Sequence, residues 1–227
     1  MKQENRLNLL ISGIGSSNGG TVRLAKIDGI GKVDGNINCS KFIVNGRAEV
    51  NGSINASAAE IHGTAIVEDS LHADRIRIHG KISVFGDLIG DIIQLNGTIS
   101  VNGNCETEHF EASGRFQMGM LNAGNIQITL HGNSRIAEIG GEYIKIRKQP
   151  GIDFAKWLKV LPIPLANSNR LKAQSIEGND IYVEYTTAEV VRGTNITIGP
   201  GCEIGLVEYN KKFEQDKGSL VKRLEQI

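Results

Sequence analysis

Histidines, carboxylates and thiols are the side chains of this 227-residue chain that could do chemistry, and their spacing limits what chemistry that is. His62 and His79 stand 17 residues apart, with Asn45 and Asn96 at the same interval on either side. If successive stretches stack at strand spacing, about 4.8 Å, the two imidazoles lie close enough to share a metal ion. Two ligands do not complete a site, and no Asp, Glu or Cys is expected in their register. The column also falls between an inward aliphatic residue and a glycine, so an outward polar ladder is expected, with no metal. Asp28, Asp34, Glu49, Asp69, Asp74 and Asp87 are spread over outward and corner positions. Carboxylate-pair catalysis needs two acids converging on one bond, and the spacing offers no such convergence.

The remaining candidates are weaker still. Cys39, Cys105 and Cys202 share no metal-like spacing, and an odd number of thiols without a leader peptide points to a reducing cytoplasm. Cys105 falls in an aliphatic column, where a free thiol acts as a small hydrophobe. The loop GIGSSNGG lacks both the Lys-Ser/Thr of a phosphate-binding loop and a following helix, so no nucleotide or other cofactor is expected. Twenty-five basic and 25 acidic residues cancel, which gives no compositional support for nucleic acid as a partner. No apolar run approaches the roughly 18 residues of a membrane span.

The elements that would position these groups repeat on a fixed clock. Gly29, Gly46, Gly63, Gly80, Gly97 and Gly114 recur every 17 residues as structural turn glycines. Gly35, Gly52, Gly86 and Gly103 keep the same period six residues later, with Asp69 in the gap. Four apolar columns share it: Ile27, Val44, Ile61, Ile78, Leu95, Ala112; Val33, Val50, Val67, Val84, Val101, Met118; Phe42, Ala59, Ile76, Ile93, Phe110; and Ile37, Ile54, Leu71, Leu88, Cys105. Short alternating β-branched segments between glycines carry the half-buried strand signature. Seventeen residues at about 3.3 Å trace roughly 56 Å, one turn of a narrow β-helix. The fold class is therefore all-β, a parallel β-helix with 17-residue rungs. Inward ladders form a dry core, and glycines at both combs supply the positive φ of sharp corners.

The domain organisation follows from where the clock runs. Residues 1–21 form a tail and first strand, and 22–149 the β-helix core. Residues 150–172 are an insertion, 173–209 about two further rungs, and 210–227 a charged tail ending in a weak amphipathic helix. In the second block Ile181 is matched with Ile198 and Val190 with Val207. Within the insertion, prolines bracket a short helix over 152–161. Phe154, Trp157, Leu158 and Leu161 share one face, while Lys156 and Lys159 lie off it, a pattern that suits either a lipid interface or a lid on the rod.

The triplets Val44 to Gly46, Val50 to Gly52, Ile61 to Gly63, Ile78 to Gly80 and Val101 to Gly103, set at this period, resemble the bactofilins, a bacterial polymer-forming cytoskeletal family. The resemblance covers about 13–132. It implies a right-handed triangular β-helix that polymerises end to end without nucleotide, association with the inner face of the membrane, and roles in cell shape, envelope or motility-organelle organisation. Self-association, a paralogous partner and peripheral membrane contact are the partners expected, in the cytoplasm. Bare strand edges at the ends of any β-helix point the same way. Two alternatives remain: a hexapeptide-type acyltransferase, whose three equal sides the 6-then-11 glycine interval disfavours, and an accessory module that binds a related filament without polymerising.

Overall fold

The computed structural model describes residues 7–149 and 169–227. Strands β1 (Leu9–Ser17), β2 (Gly20–Thr21), β3 (Leu24–Val33), β4 (Ile37–Val50), β5 (Ile54–Val67) and β6 (Leu71–Val84) make the first turns. They are followed by β7 (Leu88–Leu130), β8 (Ser134–Lys148), β9 (Leu171–Val183), β10 (Thr186–Ile198), β11 (Glu203–Gln215) and β12 (Leu220–Gln226). Every pairing is parallel, and apart from β2, which pairs with β4, each element lies beside its successor in the order β1-β3-β4 through to β12. This is a β-solenoid, and the described residues contain no helix.

Alternation of apolar and polar residues builds the wall of the rod. In the turn that starts at Ile37 the inward positions come in three pairs: Ile37 with Cys39, Phe42 with Val44, and Ala48 with Val50. The sides therefore begin at residues 37, 42 and 48, and the next turn at 54. The glycine interval of 6 then 11 does not break a three-sided turn, contrary to the expectation, because the sides are set by inward pairs and not by glycines. All four apolar columns are buried, with no member more than 4% exposed. A fifth column, Ala48, Ala65, Ile82, Ile99 and Phe116, is equally buried. Phe110 and Phe116 meet edge to face within one turn, centroids 6.3 Å apart, filling the width that alanines leave to neighbouring turns.

The two glycine combs do different work. Gly29 through Gly114 all have positive φ. At Gly63 (φ +135°) an added Cβ would run into the carbonyl oxygen of Gly46 one turn below, so both dihedral and clearance demand glycine. In the second comb only Gly35 has positive φ. Gly52, Gly86 and Gly103 instead leave room for Asn36, Ser70 and Asp87, whose side chains accept hydrogen bonds from the backbone N–H groups of Ser53, Asp87 and Asn104 on the next turn. Their role is clearance, not the expected conformational freedom.

The stack runs through the insertion. β7 and β8 pair with an offset of 18, Ile128 to Ile146, and β8 and β9 with an offset of 37, Ile146 to Val183. The extra residues fall in sequence between Ile146 and Leu171, at the corner that the first comb occupies in earlier turns. Beyond it the period changes. Ile181 pairs with Ile196, not Ile198, and Val207 with Val191, not Val190. Two corners shorten from three residues to two, Glu184-Tyr185 and Glu189-Val190, so this turn has 15 residues; Tyr185 takes φ 47° to make the tighter bend. The expected helix in 210–227 is also absent: β11 and β12 continue the sheet, with Phe213, Val221 and Leu224 set over Ile196, Ile204 and Val207. Four strands, β9 to β12, follow the insertion in place of about two rungs. From Ile11 to Gln215 one column counts 12 turns, a rod about 58 Å long at 4.8 Å per turn.

Candidate assembly surfaces

Side chains on the outside of stacked turns meet copies of themselves, so chemistry here is ladder chemistry. His62 and His79 stack in parallel, ring centroids 5.4 Å apart and 4° between planes, with Asn45 below and Asn96 above. Asp28 does stand in this register, paired with Asn45, contrary to the expectation. The Asn45 amide donates to its carboxylate at 2.6 Å, and the Lys26 ammonium lies 2.6 Å from it; Lys26 first and Asn45 second hold the Asp28 carboxyl below its usual range. Farther along, Ser113 and His131 share a hydrogen bond of 2.7 Å. Among the described residues no group of three His, Cys, Asp or Glu is placed to hold a metal ion.

Two open grooves run along the sides. One, of about 570 Å³, is lined by His72, Asp74, Asp91, Glu106 and Glu108; Asp74, Asp91 and Glu108 follow one another at 17-residue steps, and of the six acids expected to be scattered only Asp74 is in the lining. The other, of about 660 Å³, carries a charge-and-amide ladder in which Arg77 donates to Gln94 at 3.1 Å and Gln94 to Glu111 at 3.2 Å. The three thiols are free, and burial pushes Cys39 and Cys202 up to about 11 and Cys105 to about 12, well away from nucleophilic thiolates.

The base of the insertion is pinned by cation–π and hydrogen-bond contacts. Lys148 lies over the Tyr185 ring at 4.3 Å and Arg147 over Tyr182 at 5.4 Å. Glu184 accepts from the Lys148 backbone N–H and from the Tyr182 hydroxyl, and burial, then Glu184, pushes that phenol up to about 12. On the return side Arg170 donates to the Gly201 carbonyl and to Glu203. Phe154, Lys156, Trp157, Leu158, Lys159 and Leu161 lie outside the described residues.

The ends are the surfaces that remain. Among the described residues β1 and β12 are the outermost strands, each with one edge unpaired. Most of the exposed large apolar residues lie there, Leu7, Leu10, Ile14 and Ile30 at one end and Leu220, Leu224 and Ile227 at the other, with Phe85 and Tyr143 between them along the wall.

A single parallel β-solenoid, with one dry core and, among the described residues, an unpaired strand edge at each end, is the class of protein that these features define. Residues 11–106 are matched by the model of the bactofilin family, described as polymer-forming cytoskeletal, and the triplets that carry the resemblance lie in that stretch. Two relatives from Bacillus subtilis (strain 168) are similar. "Uncharacterized protein YhbF" is 39% identical over 105 residues, 46% of this chain and 40% of that protein. "Uncharacterized protein YhbE" is 35% identical over 104 residues, 45% and 41% respectively. The matched stretch thus spans about two fifths of the length of either relative. No solved structure matches.

Proposed function

We propose that this chain is a non-enzymatic scaffold protein that stacks end to end into filaments without a nucleotide. The observation that carries the reading is that, among the described residues, β1 and β12 each keep one unpaired edge over one continuous core. Backbone N–H and C=O groups at such an edge are a template for another strand, and a quasi-one-dimensional array gains stability with every neighbour. The bactofilin match, a family described as polymer-forming cytoskeletal, supports it. The filament works in the cytoplasm, alone or with a paralogue, and supports cell shape, envelope or motility-organelle organisation.

Among the described residues no helix is long and apolar enough to cross a membrane. Membrane contact in this reading is peripheral, through Phe154, Trp157, Leu158 and Leu161 with Lys156 and Lys159 beside them. The decisive experiment is negative-stain microscopy of the purified chain without nucleotide. Long thin filaments at micromolar concentration are expected; rods that stay single at every concentration, or discrete trimers, refute the reading. Liposome sedimentation tests the membrane part: a Trp157→Glu, Leu158→Glu variant should pellet less than the wild type, and equal pelleting removes it.

A further inference from the structure

Asparagine is followed by glycine at Asn18, Asn45, Asn51, Asn96 and Asn102, and all of these asparagines are exposed. Such a pair carries its own chemistry, because glycine leaves the next backbone nitrogen unshielded beside the side-chain amide. Once that nitrogen has given its proton to solvent base, it attacks the asparagine Cγ and closes a cyclic imide. The bond from Cγ to the side-chain nitrogen breaks, and that nitrogen leaves as ammonia. Water then opens the imide at either carbonyl, which yields aspartate or isoaspartate. The backbone must turn to bring nitrogen and Cγ together, and a paired strand holds it extended.

The fold sorts these pairs by where they fall in a turn. Asn45-Gly46 lies inside β4, in register with Asp28-Gly29 on one side and His62-Gly63 on the other. Asn96-Gly97 lies inside β7 over His79-Gly80. Asn102-Gly103 is also in β7, and the Gly103 N–H donates to the Gly86 carbonyl at 3.1 Å. Asn18-Gly19 falls between β1 and β2, with the Gly19 N–H donated to Ser17 Oγ at 3.4 Å. Asn51-Gly52 forms the bend between β4, which ends at Val50, and β5, which begins at Ile54. The Asn51 N–H donates to the Val33 carbonyl at 2.8 Å and the Ser53 N–H to Asn36 Oδ1 at 2.9 Å, but among the described residues the Gly52 N–H between them has no partner. Asn45 is the built-in reference for Asn51. Its side-chain amide donates to Asp28 at 2.6 Å as that of Asn51 does to Asp34 at 2.7 Å, so the two differ in backbone and not in side-chain bonding.

We propose that Asn51-Gly52 is a self-modification site, deamidated by water in the folded rod while Asn45-Gly46 is protected by its strand. The proposal is independent of the end-to-end reading. Its consequence follows from the ladder. The hydrogen bond from Asn51 to Asp34 is replaced by two carboxylates facing each other on adjacent turns, and like charges directly opposite destabilise a sheet. Lys32, 3.5 Å from Asp34 and 3.9 Å from Glu49, already serves two acids there. The isoaspartate form also lengthens the backbone by one carbon at the corner that joins β4 to β5. The wall thus gains negative charge and loses a bond between turns as the chain ages.

The test incubates the full chain in mildly alkaline buffer, folded and unfolded in urea, and follows its tryptic peptides by mass spectrometry. Cleavage after Arg47 puts Asn45 and Asn51 on different peptides. In urea the two should convert at similar rates. In the folded chain Asn51 should convert faster than Asn45, by roughly tenfold or more, because strand pairing must open before Asn45 can react. Equal rates in the folded chain, or an Asn51 that converts only in urea, overturns the proposal. A second measurement reads the consequence. Asn51→Asp should lower the urea midpoint, and Asn51→Asp with Asp34→Asn, which again sets one amide against one carboxylate, should recover it. A midpoint that Asn51→Asp leaves unmoved, or that the paired variant fails to recover, refutes the charge argument.

Discussion

Gly63→Ala isolates what the first glycine comb contributes. Gly63 has φ +135°, and its missing Cβ would occupy the place of the Gly46 carbonyl oxygen, a backbone atom already fixed in the turn below. Two costs combine. Holding a residue with a side chain in a sparsely populated dihedral region costs about 1–3 kcal/mol, and overpacking a site that cannot yield costs about 1–3 kcal/mol more. The expected loss is on the order of 2–6 kcal/mol, a large share of the roughly 5–15 kcal/mol by which domains are stable. Gly13→Ala is the internal control, because Gly13 has φ +84° but open space around its Cα, so it carries only the first cost. Urea unfolding followed by far-UV circular dichroism reads both. With a slope of about 3 kcal/mol per molar, Gly63→Ala should lower the midpoint by roughly 0.7–2 M, and Gly13→Ala by about half that. Equal midpoints for the two variants would refute the clearance argument, and a wild-type midpoint for Gly63→Ala would refute the comb altogether.

The other expectations concern the core, the thiols and the outer ladders. Val84→Asp places a carboxylate at a position 1% exposed between Val67 and Val101, with no partner in the dry column. It should be among the most damaging single changes, and an unaltered melting temperature would contradict the inward assignment. Burial raises the Cys105 thiol from 9.0 to about 12, so the unfolded chain gives up that proton first. Its contribution is intact below pH 9 and is lost as pH climbs toward 12, at about 1.4 kcal/mol per unit. Stability measured across that window should fall less steeply in Cys105→Ala. Arg192 bridges Glu177 and Glu208 on the exposed wall, at 3.0 and 2.6 Å. Arg192→Ala should nevertheless cost no more than about 1 kcal/mol in the same unfolding assay, since water screens such pairs.

Most of the fold was legible in the sequence, because a stacked turn prints its period on every column at once. Val33 to Met118 and Ile27 to Ala112 needed no structure to be placed inward. The fifth column was not legible from hydropathy alone, since Ala48 and Ala65 look neutral until Ile82, Ile99 and Phe116 show their register. After the insertion the spacing misled. Ile181 and Ile198 do stand 17 apart, but shortened corners at Glu184-Tyr185 and Glu189-Val190 give a 15-residue turn, so the pairing slips. The charged stretch 211–227 hid its strands for a related reason: with lysines and glutamates outside, only Phe213, Val221 and Leu224 mark the inward face. The unpaired edges followed from the fold class alone, but which strands carry them needed the stacking order that makes β1 and β12 outermost among the described residues.

The spacing of copies along a filament, measured by electron microscopy of averaged segments, tests the continuous stack most directly. Twelve turns on one axis predict a mean rise of about 58 Å per copy. A rise near 43 Å, the length of the about nine turns from Ile11 to Ile146, would mean that β9 to β12 do not continue the rod, and would contradict a single continuous stack.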